Sequence, residues 1–206
     1  MKIDPKKQSV RENYKLMTGS ILPRPIAFVS TRAKSGELNL APFSYFTAIS
    51  SMPPTICFAA GRKGKEGIKK DTLTNIEETG EFVVNVVTED IVEQMNLTAT
   101  DFPPEINEFK LAGLTPIDCD VVSVPRVKES PINMECKLYQ VIHIGLESSG
   151  GSALIIGEIL LFHITDHLLA EGKINTEFLK PVGRLAGQEY TTLGRRFTLE
   201  RKPYKP

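Results

Sequence analysis

Tryptophan is absent from this 206-residue chain, histidine and cysteine occur three times each, and neither sign of charge is in excess. Without Trp, and with Phe and Tyr that do not alternate with Lys and Arg, the chain offers no stacking platform for single-stranded nucleic acid. Lys plus Arg and Asp plus Glu number 25 each, so no global field draws the chain to nucleic acid or to an anionic membrane. Any basic patch has to be local. Cys57, Cys119 and Cys136 form no close pair and read as small core hydrophobes in a reducing compartment. Long hydrophobic runs are missing too: Ala153 to Ile164 is interrupted by Gly157 and Glu158, and MKIDPKKQSVREN contains no apolar stretch. The expectation is a cytoplasmic protein without a membrane span.

Several chemical signatures are also lacking. Gly61-Arg62-Lys63-Gly64-Lys65-Glu66-Gly67 does not fit a phosphate loop, and no glycine fingerprint for a dinucleotide stands between an early strand and helix. Ser30, Ser44, Ser50 and Ser51 have no nucleophile-elbow context, and no cysteine sits beside a plausible base. Of His143, His163 and His167 only the last two are near one another in sequence, with no thiolate or carboxylate pattern around them, so core and surface roles are expected and no metal site.

What is present reads as one domain, residues 1–206, mainly β with peripheral helices. With 41% hydrophobic residues the core can be substantial. A short helix is expected over Tyr14–Gly19, then a strand within Ile21–Thr31, entered through a Pro-rich lead and paired as a hairpin with a second strand over Leu38–Ser50. Met52-Pro53-Pro54 is expected to block ladder pairing before a buried strand at Thr55–Ala60. A helix begins near Asp71, with Asp71 or Thr72 as its cap and Gly80 as its stop, followed by a strand over Glu81–Val87. A helix over Glu89–Leu97 and an irregular cover with a short helix at Glu105–Leu111 come next. Then follow a strand at Val121–Val127, two long strands over Asn133–Leu146 and Ser152–Ile164 with a bend or bulge at Gly157, and a helical turn at Thr176–Leu179.

The stretch Asn39–Ile76 carries the chemistry. Its first half is apolar and aromatic with small hydroxyl residues between, and its second gathers Arg62, Lys63, Lys65, Lys69 and Lys70 before a helix start. Composition alone reads this as a buried strand and a solvated basic loop. The alternative is a site for a flat aromatic ligand with an anionic tail, because helix-start amides, a hydroxyl and cations together hold an anion. A chain with such a site but no acid/base pair is what a flavin enzyme can look like.

RPIAFVST, NLAPFSYFTAISSMPP, the GRK…KDT loop, EFVVNVV, IIGEI and RLAGQEY occur in that order, and together resemble the flavin reductase-like FMN-binding split-barrel family, in its nitrilotriacetate monooxygenase component B and flavoredoxin branch. The resemblance implies a Greek-key split β-barrel that binds FMN as a homodimer, with NADH or NADPH as hydride donor and a monooxygenase or another electron-accepting protein as partner. Carried over by position, it implies that Ser30, Thr31, Asn39, Ala41, Pro42, Phe43, Ser44, Ser50 and Ser51 line the ring. Arg62, Lys70 and Thr72 hold the phosphate with Asp71 as cap, and Arg184 and Tyr190 approach the flavin across the dimer interface. Shorter reductases of this superfamily often carry Gly-x-His where this chain has Gly150-Gly151-Ser152-Ala153; the His is missing here.

Overall fold

The structure is a computed structural model and describes residues 1–64, 66–202 and 204. Helix α1 (Val10–Ser20) opens with a reciprocal cap, in which the Ser9 hydroxyl accepts from the Glu12 amide and the Glu12 carboxylate accepts from the Ser9 amide at 2.8 Å. That Ser-x-x-Glu spacing sets the start of the helix four residues ahead of the expected Tyr14. Strands β1 (Ala27–Arg32), β2 (Leu38–Phe43), β3 (Phe46–Ser51) and β4 (Pro54–Gly61) follow, then α2 (Asp71–Thr79), β5 (Glu81–Val86), α3 (Val92–Leu97) and α4 (Glu108–Ala112). The remainder comprises short β6 (Pro116–Ile117) and β7 (Arg126–Val127), long β8 (Ile132–Ile144) and β9 (Ser152–Ile164), short β10 (Leu169–Ala170) and β11 (Lys173–Ile174), α5 (Thr176–Leu179), β12 (Gly183–Arg184) and β13 (Tyr190–Thr191).

Among the described residues the main sheet is antiparallel with the order β2-β1-β5-β8-β9-β4-β3. Strands β2 and β3 are therefore its two edges, yet only Ser44 and Tyr45 separate them in sequence. Three Cα steps span at most about 11 Å, so the sheet has to curl until its edges meet. They meet where Phe43 packs on Phe58 with ring centroids 5.0 Å apart and the Ala59 amide donates to the Tyr45 carbonyl at 2.8 Å. The result is a Greek-key split barrel. Its interior holds Val29, Phe43, Ile56, Phe58, Phe82, Val84 and Ile155, and a second cluster outside β1 and β2 packs Phe28 and Leu40 against Ile91, Met95 and Phe109. Burial on both faces explains why residues 26–29, at the head of β1, read as an uninterrupted apolar run.

Three expectations are corrected. Leu38–Ser50 is two strands, because the chain leaves one edge of the sheet at Ser44 and joins the other at Phe46. Pro53 and Pro54 do not end the ladder: Pro54 is the first residue of β4 and lies opposite Ser51, a position where proline costs no needed bond. Val121–Val127 is mostly irregular, since the amides of Val121 and Val122 bond the Glu135 carboxylate and not a neighbouring strand.

The bulge expected at Gly157 lies on the partner strand. Leu138 faces Gly157 and Gln140 faces Ile156, leaving Tyr139 as the extra residue. Gly157 itself is required by close approach: a Cβ there would stand 2.3 Å from Cζ of the fully buried Phe82.

Candidate functional site

Helix α2 starts without a side-chain cap. Lys70 holds the N-cap position, Asp71 instead accepts from Lys63 Nζ at 2.6 Å, and the Thr72 hydroxyl donates to Asn39 Oδ1 at 2.7 Å. Asp71 and Thr72 therefore do not cap the helix as expected, and while the Leu73 amide turns back to the Lys70 carbonyl at 2.9 Å, the Asp71 and Thr72 amides of this nine-residue helix remain available to an anion. A niche forms around that start, bounded by Asn39 and Ala41 of β2, Lys63, Lys70 and Thr72, with Thr98–Phe102 and Glu108 opposite. Its donors suit a phosphate: two ammonium groups and helix amides. Lys70 Nζ is 2.8 Å from Asp101, whose side chain is half exposed and can yield to a ligand.

Lys63 is the cation that sequence order alone did not select. Arg62, expected in the clamp, lies one residue away, and backbone pairing of Lys63 with Ile68 extends the chain there, so neighbouring side chains face opposite sides. The Arg62 side chain is largely buried; it donates to the Gly67 carbonyl at 3.0 Å and to Glu147 at 3.2 Å and borders the adjacent groove.

That groove, about 530 Å³, runs along Pro42, Phe43, Ser44 and Tyr45 to Gly150–Ser152, with Val10, Arg11, Tyr14 and Met17 of α1 along it. A cleft of about 190 Å³ joins Pro42 and Ser44 to Arg184 and Tyr190. Niche, groove and cleft all touch Pro42, so Asn39–Ser44 is a common wall with a cationic end and an aromatic end. Arg184 lies over the Tyr190 ring at 4.4 Å, and the Tyr190 hydroxyl donates to Asn96 at 2.7 Å. A larger cavity, about 810 Å³, also borders Tyr190, but its charged lining residues are Glu89 and Glu93, with no cation to hold a phosphate.

Two inner residues hold the wall. Glu108 accepts from the Leu40 amide at 3.1 Å and from Asn39 Nδ2 at 3.0 Å; burial pushes its pKa up, against those bonds. Arg24, buried between two prolines, donates to the carbonyls of Thr18 at 2.8 Å, Ile21 at 2.9 Å and Leu185 at 2.9 Å, and to Ser44 Oγ at 3.4 Å. It links α1, the wall and the β12–β13 tract. A charge set between prolines at the head of an apolar strand is the sequence signal for it.

Four expected ring contacts are placed elsewhere. Ser30 is fully buried and donates to the Pro125 carbonyl at 2.7 Å, and it borders neither the niche nor the groove nor the cleft. Thr31 is also fully buried and accepts from Asn75 at 3.0 Å, so it supports Asn39 from behind. Ser50 and Ser51 lie at the solvent-exposed far end of the β3–β4 hairpin, where Ser51 faces Pro54, whereas the groove touches the opposite end at Ala59 and Gly61. All four are small hydroxyl residues whose composition does not report which way a strand faces.

Residues 18–178 match the flavin reductase like domain family. Nitrilotriacetate monooxygenase component B from Bacillus cereus superposes with a TM-score of 0.92 at 47% identity, over 97% of this chain and 98% of that one. 2-Nitrobenzoate 2-nitroreductase NbaA from Pseudomonas fluorescens gives 0.87 at 33% identity, over 100% and 98%. A split-barrel protein from Shewanella frigidimarina NCIMB 400 shares the fold, with a TM-score of 0.80 at 23% identity over the whole of both chains. With the matched segment spanning β1, the Asn39–Ser44 wall and the start of α2, this chain belongs to the flavin reductase-like family.

Proposed function

We propose that the protein is a cytoplasmic FMN-binding oxidoreductase of the NAD(P)H-dependent flavin reductase type, which supplies electrons to a partner protein or another acceptor. The observation that carries this reading is the single wall from Asn39 to Ser44 that joins a niche holding the Lys63 and Lys70 ammonium groups at the start of α2 to an aromatic groove. Lys63, Lys70 and the first amides of α2 would hold the phosphate, Thr72 would fix Asn39, and Pro42, Phe43, Ser44 and Tyr45 would border the ring. Bound FMN supplies the redox chemistry, accepting a hydride and returning electrons, so the chain has to bind, orient and keep water away. Phe43, buried against Phe58, gives the wall a rigid backing. Support for a monooxygenase as acceptor comes from the similarity to the Bacillus cereus component B.

A second reading is a flavoredoxin-like carrier that receives electrons from a protein, or a flavin-binding module without nicotinamide turnover. The sequence at Gly150–Ser152 favours it, since these residues border the groove without an imidazole. Titration of the purified protein with FMN, followed by flavin fluorescence, tests both: saturable quenching near one equivalent per chain is expected, and none would remove both. Mixing the complex anaerobically with NADH or NADPH separates them, because bleaching of the flavin supports the reductase and persistent oxidised absorbance supports the carrier.

A further inference from the structure

Away from the groove, Cys119, Glu135 and His163 bring a thiol, a carboxylate and an imidazole together, with their ligand atoms all within 4.8 Å of one another. Near the histidines the sequence shows neither a thiolate nor a carboxylate pattern; the fold supplies both from distant segments. Cys119 comes from the loop between β6 and β7, Glu135 from β8 and His163 from β9. Asp120 adds a second carboxylate, its Oδ2 3.7 Å from His163 Nε2.

Glu135 is fully buried. Its oxygens accept from the amides of Asp120 at 2.9 Å, Val121 at 2.7 Å and Val122 at 2.8 Å, and His163 Nε2 lies 2.6 Å away. Burial opposes its charge, but those amides and the imidazole outweigh it and hold its pKa below the ordinary value. A carboxylate that pins a loop accounts for Glu135 and His163. It does not account for a thiol and a second carboxylate converging on the same imidazole.

We propose that Cys119, Asp120, Glu135 and His163 form a structural site for a divalent transition ion of the zinc class. Mixed sulfur, nitrogen and oxygen donors select such an ion over calcium or magnesium. With bonds of about 2.0–2.3 Å, tetrahedral ligand atoms stand roughly 3.2–3.8 Å apart. The His163–Glu135 contact therefore opens slightly and Cys119 Sγ closes in by up to about 1 Å to reach that spacing, while the exposed Asp120 carboxylate swings in from its place beside the imidazole. The ion takes the place of the proton between Nε2 and Glu135, which passes to solvent together with the Cys119 thiol proton, and the neutral ring then carries its one proton on Nδ1. Three anionic ligands and a dication leave one negative charge, which Arg126 offsets; its Nε is buried without a hydrogen-bond partner among the described residues, and its charge acts on Cys119. Burial pushes the uncoordinated Cys119 thiol up to about 12, so the ion is what makes it a thiolate. All four positions belong to the protein, which suits a closed site that fastens the 119–122 loop to β8 and β9.

The test is calorimetric titration of the full-length, chelator-treated protein with Zn²⁺. One equivalent should bind, with affinity lowered roughly hundredfold or more in Cys119→Ser and His163→Gln and unchanged in Cys57→Ser. Gln can still donate to Glu135, so His163→Gln separates ligation from loop pinning. Should either variant fail to fold, the wild type answers alone: Zn²⁺ should protect Cys119 from alkylation, as read by peptide mass spectrometry. Absence of binding, binding indifferent to Cys119→Ser, or alkylation of Cys119 at the same rate with Zn²⁺ would each overturn the proposal.

Discussion

Lys70 faces a choice between partners. It is paired with Asp101, and under the proposed function it turns to a phosphate. A charge-assisted bond of this kind is worth about 1.5–3 kcal/mol, so Lys70→Ala should weaken FMN roughly tenfold or more and leave riboflavin, which lacks the phosphate, unaffected. Equal losses for both ligands in parallel fluorescence titrations would remove Lys70 from the clamp. Asp101→Asn should act in the opposite direction, tightening FMN several-fold by releasing Lys70, and the same titration reads it. Glu108 gives a prediction in pH. Burial raises its folded pKa above the ordinary 4.5, so the folded state holds the proton more tightly than the unfolded state. Its contribution is then fully present below about pH 4.5 and is lost as pH rises through the raised folded value. Urea unfolding of the wild type and Glu108→Gln across that range should show the variant gaining stability relative to the wild type with increasing pH; a constant difference would refute it.

At the scale of elements, Gly157 shows what packing adds to pattern. The sequence marks a glycine in a long strand, and the usual inference is a bulge; the bulged residue is Tyr139 on β8, while Gly157 makes room for Phe82. Phe82 is fully buried and packs edge-on against Phe58 at 5.7 Å, so it cannot move aside cheaply. Gly157→Ala should cost about 1–3 kcal/mol in urea unfolding, with flavin affinity nearly intact, because the clash lies inside the barrel; a neutral substitution would mean that Phe82 has room. Much of the element pattern was legible, since β9 and α5 occupy the expected ranges and β4, β5 and β8 lie within one or two residues of theirs. Periodicity and glycine stops act locally and survive folding. What the sequence hid depends on direction in space: the crossing from β2 to β3 at Ser44 carries no Gly or Pro, and a serine that faces the core, as Ser30 does, looks the same as one that faces the groove. The basic loop was legible as a loop, but the choice of Lys63 over Arg62 for the niche follows from a backbone bridge that no composition reveals.

For the whole molecule, the outer face of β8, β9 and β4 bears on assembly. Ile142 lies opposite Leu154 and Leu154 opposite Ala59, while Cys57 lies opposite Ile156, so an apolar row crosses three strands on the side of the sheet away from the buried Ile155 and Phe58. Ile142 is exposed and the others half-buried, and Ile144 extends the row. An apolar face continuous across strands is characteristic of an interface more than of a solvated surface. It adjoins the groove, which Ala59, Gly61 and Ser152 border, so a second copy seated on it would cover the aromatic end of the proposed flavin site. A homodimer through this face follows as a prediction. Leu154→Glu places a carboxylate at the centre of the row, where burial without a partner is costly, while the side chain points away from the barrel interior and the fold can tolerate it. Sedimentation of the variant should give a monomer with native secondary structure, and FMN affinity should fall with assembly by roughly tenfold, the loss of about 1.4 kcal/mol of ring contact. Lys70→Ala, by contrast, should weaken FMN while sedimenting as the dimer. A Leu154→Glu protein that remains dimeric would move the interface to another face, and a monomer that binds FMN as tightly as the wild type would show that one chain completes the groove alone.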